Sequence, residues 1–116
     1  DEAEWQRAAQ GDENRRFPWG DQFDVACCNT RESQKKQATP VWQYPQGISS
    51  FGVLDMSGNV WEWCDDLFEI DGRPYAYARG GAWTSSQHEA RVTFQAGFPA
   101  DDWNYDRGFR IVAMTP

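Results

Sequence analysis

Trp61 and Trp63 stand on either side of Glu62 in the run Gly58-Asn59-Val60-Trp61-Glu62-Trp63, and that alternation limits the fold more than any other stretch. With a side-chain period of two, Val60, Glu62 and Cys64 point to one face of a strand while Trp61 and Trp63 point to the other. A strand with two indole rings on one face has to be covered, so the chain must build its core around rings. Composition agrees: seven Trp, seven Phe and four Tyr bring the aromatic share of the 116 residues to 16%, while Leu and Ile are scarce. Such a core is assembled from short strands and turns rather than from long aliphatic helices.

Around this strand, placed within 51–66, the other elements fall into order. Asp71-Gly72 has the chemistry of a hairpin turn, and Tyr75, Tyr77 and Arg79 then alternate with Ala76 and Ala78 on a return strand. Gly80 and Gly81 interrupt that strand at a bulge or a close backbone approach. At the start of the chain, Asp1 and Glu4 have the spacing of a capping box, and Trp5, Ala8 and Ala9 share one face. An amphipathic helix ending at Gly11 is predicted. Residues 12–50 show no sustained period, and Pro18, Pro40 and Pro45 each restrict the backbone and remove a donor. That stretch reads as irregular loops anchored by Phe17, Trp19, Trp42, Tyr44 and Phe51. A polar, irregular segment follows Trp83 as far as Arg107, after which Phe109, Ile111 and Ala113 alternate in a final strand. With no internal repeat, low-complexity tract or linker, residues 1–116 read as a single domain.

A formal charge of −7 disfavours nucleic acid and anionic membrane surfaces as partners, since both are bound through Lys/Arg clusters. No apolar run approaches the length of a membrane span. Of the three cysteines, Cys27 and Cys28 are adjacent and Cys64 is distant. One is left over in any disulfide scheme, no C-x-x-C spacing is present, and the compartment stays undetermined. They read as small buried hydrophobes. Residue 1 opens a helix and is not Met, so a processed or truncated product is expected.

Six marks occur in order: Glu2-Ala3-Glu4-Trp5, Phe17-Pro18-Trp19-Gly20, Phe51-Gly52-Val53-Leu54-Asp55-Met56, Gly58-Asn59-Val60-Trp61-Glu62-Trp63, Arg79-Gly80-Gly81-Ala82-Trp83 and Gly108-Phe109-Arg110. Together they resemble the formylglycine-generating enzyme (sulfatase-modifying factor) superfamily over nearly the whole chain. The resemblance implies an α+β, C-type-lectin-like fold, loop-rich, with few short strands and a short N-terminal helix. Ergothioneine-biosynthesis sulfoxide synthases, a pyoverdine-maturation protein and the variable ligand-binding proteins of diversity-generating retroelements share that fold. It also implies that the family's N-terminal half is missing, as in a minimal version or one whose remainder is a separate or cleaved chain.

The same resemblance carries chemistry. The family's two copper-binding thiolates would fall on Ser85 and Ala90, and neither side chain can be a soft-metal ligand. The sulfoxide synthases hold iron with three histidines, and His88 stands alone here. Neither copper nor iron is therefore expected from this chain by itself. Calcium is the implied structural metal, held by the side chains of Asp55 and Glu62 and the carbonyls of Gly58 and Val60, oxygen ligands that suit a hard cation. Glu62 has an equally good reading as the partner of Arg110 or Arg79 in an internal salt bridge. A second calcium site of the family would fall on Asn29, Thr30, Ser33 and Lys35, where a Ser replaces the carboxylate and a Lys intrudes. The acidic runs Asp65-Asp66 to Asp71 and Asp101-Asp102 read as solvated loops.

Residues 84–107 mix rigid aromatics with adaptable polar groups, the composition of a recognition surface. In the resembling retroelement proteins this stretch holds the diversified ligand contacts. Ligand-binding residues are expected at Trp83, Ser85, His88, Arg91, Phe94, Gln95, Trp103, Asn104 and Tyr105. In the competing view, Phe94, Phe98 and Trp103 merely fill the loop's own core. The expected function is a module that binds a protein or small ligand. Two alternatives stand beside it: the C-terminal portion of an oxidative enzyme whose metal ligands lie upstream, and a structural domain of a larger assembly.

Overall fold

The hairpin anticipated at Asp71-Gly72 forms the centre of a four-stranded sheet in the computed structural model, which describes residues 1–113. Strands β1 (Trp61–Ile70) and β2 (Arg73–Arg79) pair antiparallel, with Ile70 opposite Arg73. Asp71 (φ 50°) and Gly72 (φ 78°) both take positive φ, as a two-residue type I′ turn requires. Strand β3 (Gln95–Pro99) lies antiparallel to β2, and the two-residue β4 (Arg107–Gly108) lies parallel to β1, giving the order β3-β2-β1-β4. Between Trp63 and Leu67 the β1/β2 register shifts, so the strand bulges where it leaves the core.

The helix α1 (Glu2–Gln10) starts and stops where its caps dictate. The Asp1 carboxylate accepts the Glu4 N–H at 2.8 Å, the Glu4 carboxylate accepts from the terminal ammonium at 2.6 Å, and the Gly11 N–H donates to the Arg7 carbonyl. Its buried face is Trp5 and Ala9 with Ala8 beside them, packed with Met56, Cys64 and Val92. A second cluster joins Trp61, Ala78 and Ala82 to Phe94, Ala96 and Phe98. The alternation in β1 is thus realised: Cys64 joins the helix-side cluster, and Trp61 and Trp63 both meet the Phe98 ring edge-on. All three cysteines are free and buried; burial pushes the Cys64 thiol up to about 11 and the Cys28 thiol to about 12, so both are protonated at neutral pH.

Residues 55–59 tie the loops to the sheet. The Gly58 N–H donates to the Gly80 carbonyl at 2.7 Å, the Asn59 N–H to the Asn29 carbonyl at 2.8 Å, and the Trp83 N–H to the Asn59 carbonyl at 2.9 Å. Gly58 (φ +77°) packs so tightly on the Asn29 carbonyl that a Cβ would run into it, and a Cβ on Gly80 (φ +97°) would meet the Met56 carbonyl and the Trp5 ring. The second glycine motif is therefore a close approach of backbone to backbone, one of the two readings its sequence allowed.

Four expectations are corrected. Residues 84–107 contain β3, hidden in the sequence by Gly97 and Pro99. A Cβ on Gly97 would strike the Phe68 ring, and Pro99 closes an edge strand, where a missing donor is tolerated. The strand expected at Phe109, Ile111 and Ala113 does not form among the described residues; pairing stops at Gly108, and the Arg110 side chain reaches across to Glu62. Trp42 (72% exposed) and Phe51 are exposed instead of anchoring the loops, whereas Phe17 and Tyr44 are buried as expected.

Candidate functional site

Two places hold the expected site residues, and they differ in kind. The first is the carboxylate pair beside the residue 55–59 turn. Glu62, 4% exposed, receives the Arg110 Nε on Oε1 at 2.7 Å and Nη2 on Oε2 at 3.2 Å, and the Trp5 indole N–H also donates to Oε1 at 3.2 Å. The ion-pair reading of Glu62 is realised with Arg110. Arg79 instead pairs with Glu2 at 3.0 Å and donates to the Val92 carbonyl. Asp55 sits at φ 56° and is buried, and among the described residues neither of its carboxylate oxygens has a hydrogen-bond partner. Burial pushes its carboxyl up to about 6, against the pull of the Arg110 guanidinium, with the Glu62 charge adding to the rise.

This geometry fits calcium in part. Two orphaned oxygens on a buried carboxylate are what an oxygen-seeking cation would satisfy, and Asp55 supplies them. Glu62 has both oxygens engaged by Arg110, so it could join Asp55 on a cation only by giving up that pairing. Among the described residues no group of three or more His, Cys, Asp or Glu side chains is assembled for a metal.

The second place is the segment 84–107, whose expected contact residues are divided rather than gathered. Ser85 is buried, and its hydroxyl accepts the Ala82 N–H at 3.0 Å, so it shapes the turn after Trp83. Ala90 is fully buried and its carbonyl accepts the Ser57 hydroxyl at 2.6 Å. Phe94 packs against Trp61 with ring centroids 6.1 Å apart, and Gln95 on β3 donates its amide to both carboxylate oxygens of Glu2. Phe98 belongs to the core, as the competing view held, and Trp103 does not. Trp83 is half-buried, with its indole N–H unpartnered among the described residues, and lines a shallow cleft with Arg31, Gln34, Lys36 and Thr84.

The remaining candidates face outward. His88 is exposed, and its carbonyl and Nε2 accept from Arg91 at 3.0 and 3.1 Å. Because a guanidinium can only donate, that contact requires His88 to carry its proton on Nδ1. Trp103 (74% exposed) and Tyr105 (81% exposed) sit edge to face with centroids 6.0 Å apart, and the Asn104 side chain accepts the Tyr105 N–H at 2.8 Å. Arg31 and Arg16, which line clefts beside this segment, were not singled out by sequence. Their signal was available only as cations in an acidic chain.

The sulfatase-modifying factor enzyme 1-like domain family matches residues 1–115. The serine/threonine-protein kinase Pkn1 of Chlamydia trachomatis is 34% identical over 94% of this chain and 20% of its own length. The inactive C-alpha-formylglycine-generating enzyme 2 of Mus musculus is 30% identical over 97% of this chain and 41% of its own. Among solved structures, the Treponema denticola variable protein 1 superposes with a TM-score of 0.80 at 22% identity, over 93% of this chain and 44% of that one. The chain thus spans from a fifth to less than half the length of these proteins.

Proposed function

This chain belongs to the sulfatase-modifying factor enzyme 1-like domain family, and we propose that it serves there as a recognition module, binding a protein or small ligand through segment 84–107. The observation that carries the reading is the Trp103–Tyr105 pair. Two large rings hold each other edge-on while exposing most of their surface, which costs hydration free energy that a bound partner would recover. Rings with few rotatable bonds lose little entropy when they are covered. Ser85 and Ala90 point the same way: where the resemblance puts redox thiolates, this chain has a hydroxyl committed to the backbone and a buried methyl group.

The test is a binding screen on peptide and glycan arrays with the wild type and a Trp103→Ala/Tyr105→Ala double variant. Hits that vanish in the variant while its fold persists support the reading; a variant that keeps every hit at unchanged strength contradicts it. A second reading, a portion of an oxidative enzyme, draws on the lengths of the relatives, most of which lie outside the matched region. Copper or iron retained stoichiometrically in elemental analysis would favour it.

As a structural metal we propose calcium at Asp55, supported by its two orphaned oxygens, with Gly58 and Val60 offering carbonyls and Glu62 joining when Arg110 is displaced. The ion would neutralise the buried carboxylate and tie the residue 55–59 turn to β1.

A further inference from the structure

Segment 84–107 meets the loop 14–23 along a polar cleft that the Trp103–Tyr105 pair does not touch. The Val92 N–H donates to the Arg16 carbonyl at 2.8 Å, and Val92 and Phe17 are both buried, so the two backbones are clamped where Arg16 and Arg91 leave them. Both arginines line both hollows of the cleft, together with Asp21 and Gln22.

Among the described residues Arg16 and Arg91 differ from most arginines of the chain in having no carboxylate partner. In a chain of net charge −7, six other arginines have a carboxylate within salt-bridge distance: Arg7, Arg15, Arg73, Arg79, Arg107 and Arg110. Among the described residues Arg16, Arg31 and Arg91 have none. Arg31 instead gives two hydrogen bonds to the Thr84 carbonyl. Asp21, the acid of the cleft, accepts the Arg16 backbone N–H on Oδ1 at 3.1 Å and makes no ion pair with either guanidinium. Arg91 is oriented by His88 through Nε and Nη2, and its Nη1 edge is uncommitted among the described residues. One wall of the cleft is aromatic, with Phe17 and Phe23 edge to face at 5.7 Å, and rings beside guanidinium groups weaken water's competition for an anion.

We propose that this cleft binds an oxyanion, the carboxylate or phosphate group of a small ligand, between Arg16 and Arg91. Two forks held on clamped backbones suit the planar, two-oxygen edge of such a group. The inference deepens the recognition reading, on which it rests for segment 84–107 being a binding face, by naming a ligand class and a residue from outside that segment.

The test is titration of the 116-residue protein with inorganic phosphate and, separately, succinate, at constant ionic strength, followed by amide chemical shifts. Saturable shifts confined to residues near 16–22 and 87–93 are expected with at least one of the two, and the better ligand identifies the group. Arg16→Ala and Arg91→Ala should each weaken it about tenfold, Arg16→Lys and Arg91→Lys less, and Arg31→Ala not at all. The lysine variants keep the test valid if an alanine variant fails to fold. Shifts that never saturate, or that respond equally to Arg31→Ala, would overturn the proposal. A Trp103→Ala/Tyr105→Ala variant separates the two ideas: it should bind phosphate or succinate normally even if the aromatic pair proves to contact nothing.

Discussion

Trp61 and Trp103 make the same kind of contact in opposite surroundings. Trp61, 4% exposed, meets the Phe98 ring at 5.7 Å and 70°; Trp103, 74% exposed, meets the Tyr105 ring at 6.0 Å and 84°. Edge-to-face geometry is therefore no indicator of a core. What separates the two is what else they touch: Trp61 is enclosed by Ala78 and Ala82 and by β3, while Trp103 has solvent on its remaining faces. The first ring holds the fold together, and the second is held out by it.

The largest expected effect breaks the first half of that comparison. Trp61→Ala should cost about 3–5 kcal/mol in urea unfolding, because a large cavity opens between β1 and β3. Next comes the ion pair behind Trp61: Arg110→Ala leaves the Glu62 carboxylate buried and unpaired and should cost about 3 kcal/mol, while adding Glu62→Gln should recover much of it. Asp55 gives the third effect, with the opposite sign. Its carboxyl titrates near 6 in the fold against 3.8 for the ordinary group, so the fold favours the protonated form. The stability this contributes is complete below about pH 4 and is lost as pH rises through about 6. In chelator at pH 7.5, Asp55→Asn should therefore stabilise the protein by about 2 kcal/mol, and the wild type should lose a similar amount between pH 4 and 7 where the variant does not. Millimolar calcium, if it binds at Asp55, should raise the wild-type melting temperature and leave the variant's unchanged. The smallest effect completes the comparison: Trp103→Ala should move stability by less than about 0.5 kcal/mol.

The parts legible in sequence were those with local causes. The capping box, the Asp71-Gly72 turn and the strand alternation of Trp61 and Trp63 about Glu62 each depend on neighbours within a few residues, and each is present; the glycines at 80–81 marked a close approach, but its partners, the Met56 carbonyl and the Trp5 ring, are distant in sequence. What sequence missed depends on distant partners. Strand β3 exists because Gly97 makes room for the Phe68 ring, a contact invisible in the run Gln-Ala-Gly-Phe-Pro. The strand expected at 109–113 has the right alternation but ends its pairing with β1 at Gly108. The candidate site shows the same division. Glu62 was narrowed to an ion pair or a metal ligand, and the Arg110 bond realises the first. The nine candidates around 83–105 included both buried supports such as Ser85 and outward rings such as Tyr105, because composition does not distinguish them.

The measurement closest to the central claim is the array screen of wild type against Trp103→Ala/Tyr105→Ala, with near-ultraviolet circular dichroism to show the fold intact. The account predicts ligands bound by the wild type that are lost or weakened at least tenfold in the variant. Equal binding by both folded proteins would contradict it and leave the exposed aromatic pair without a role in recognition.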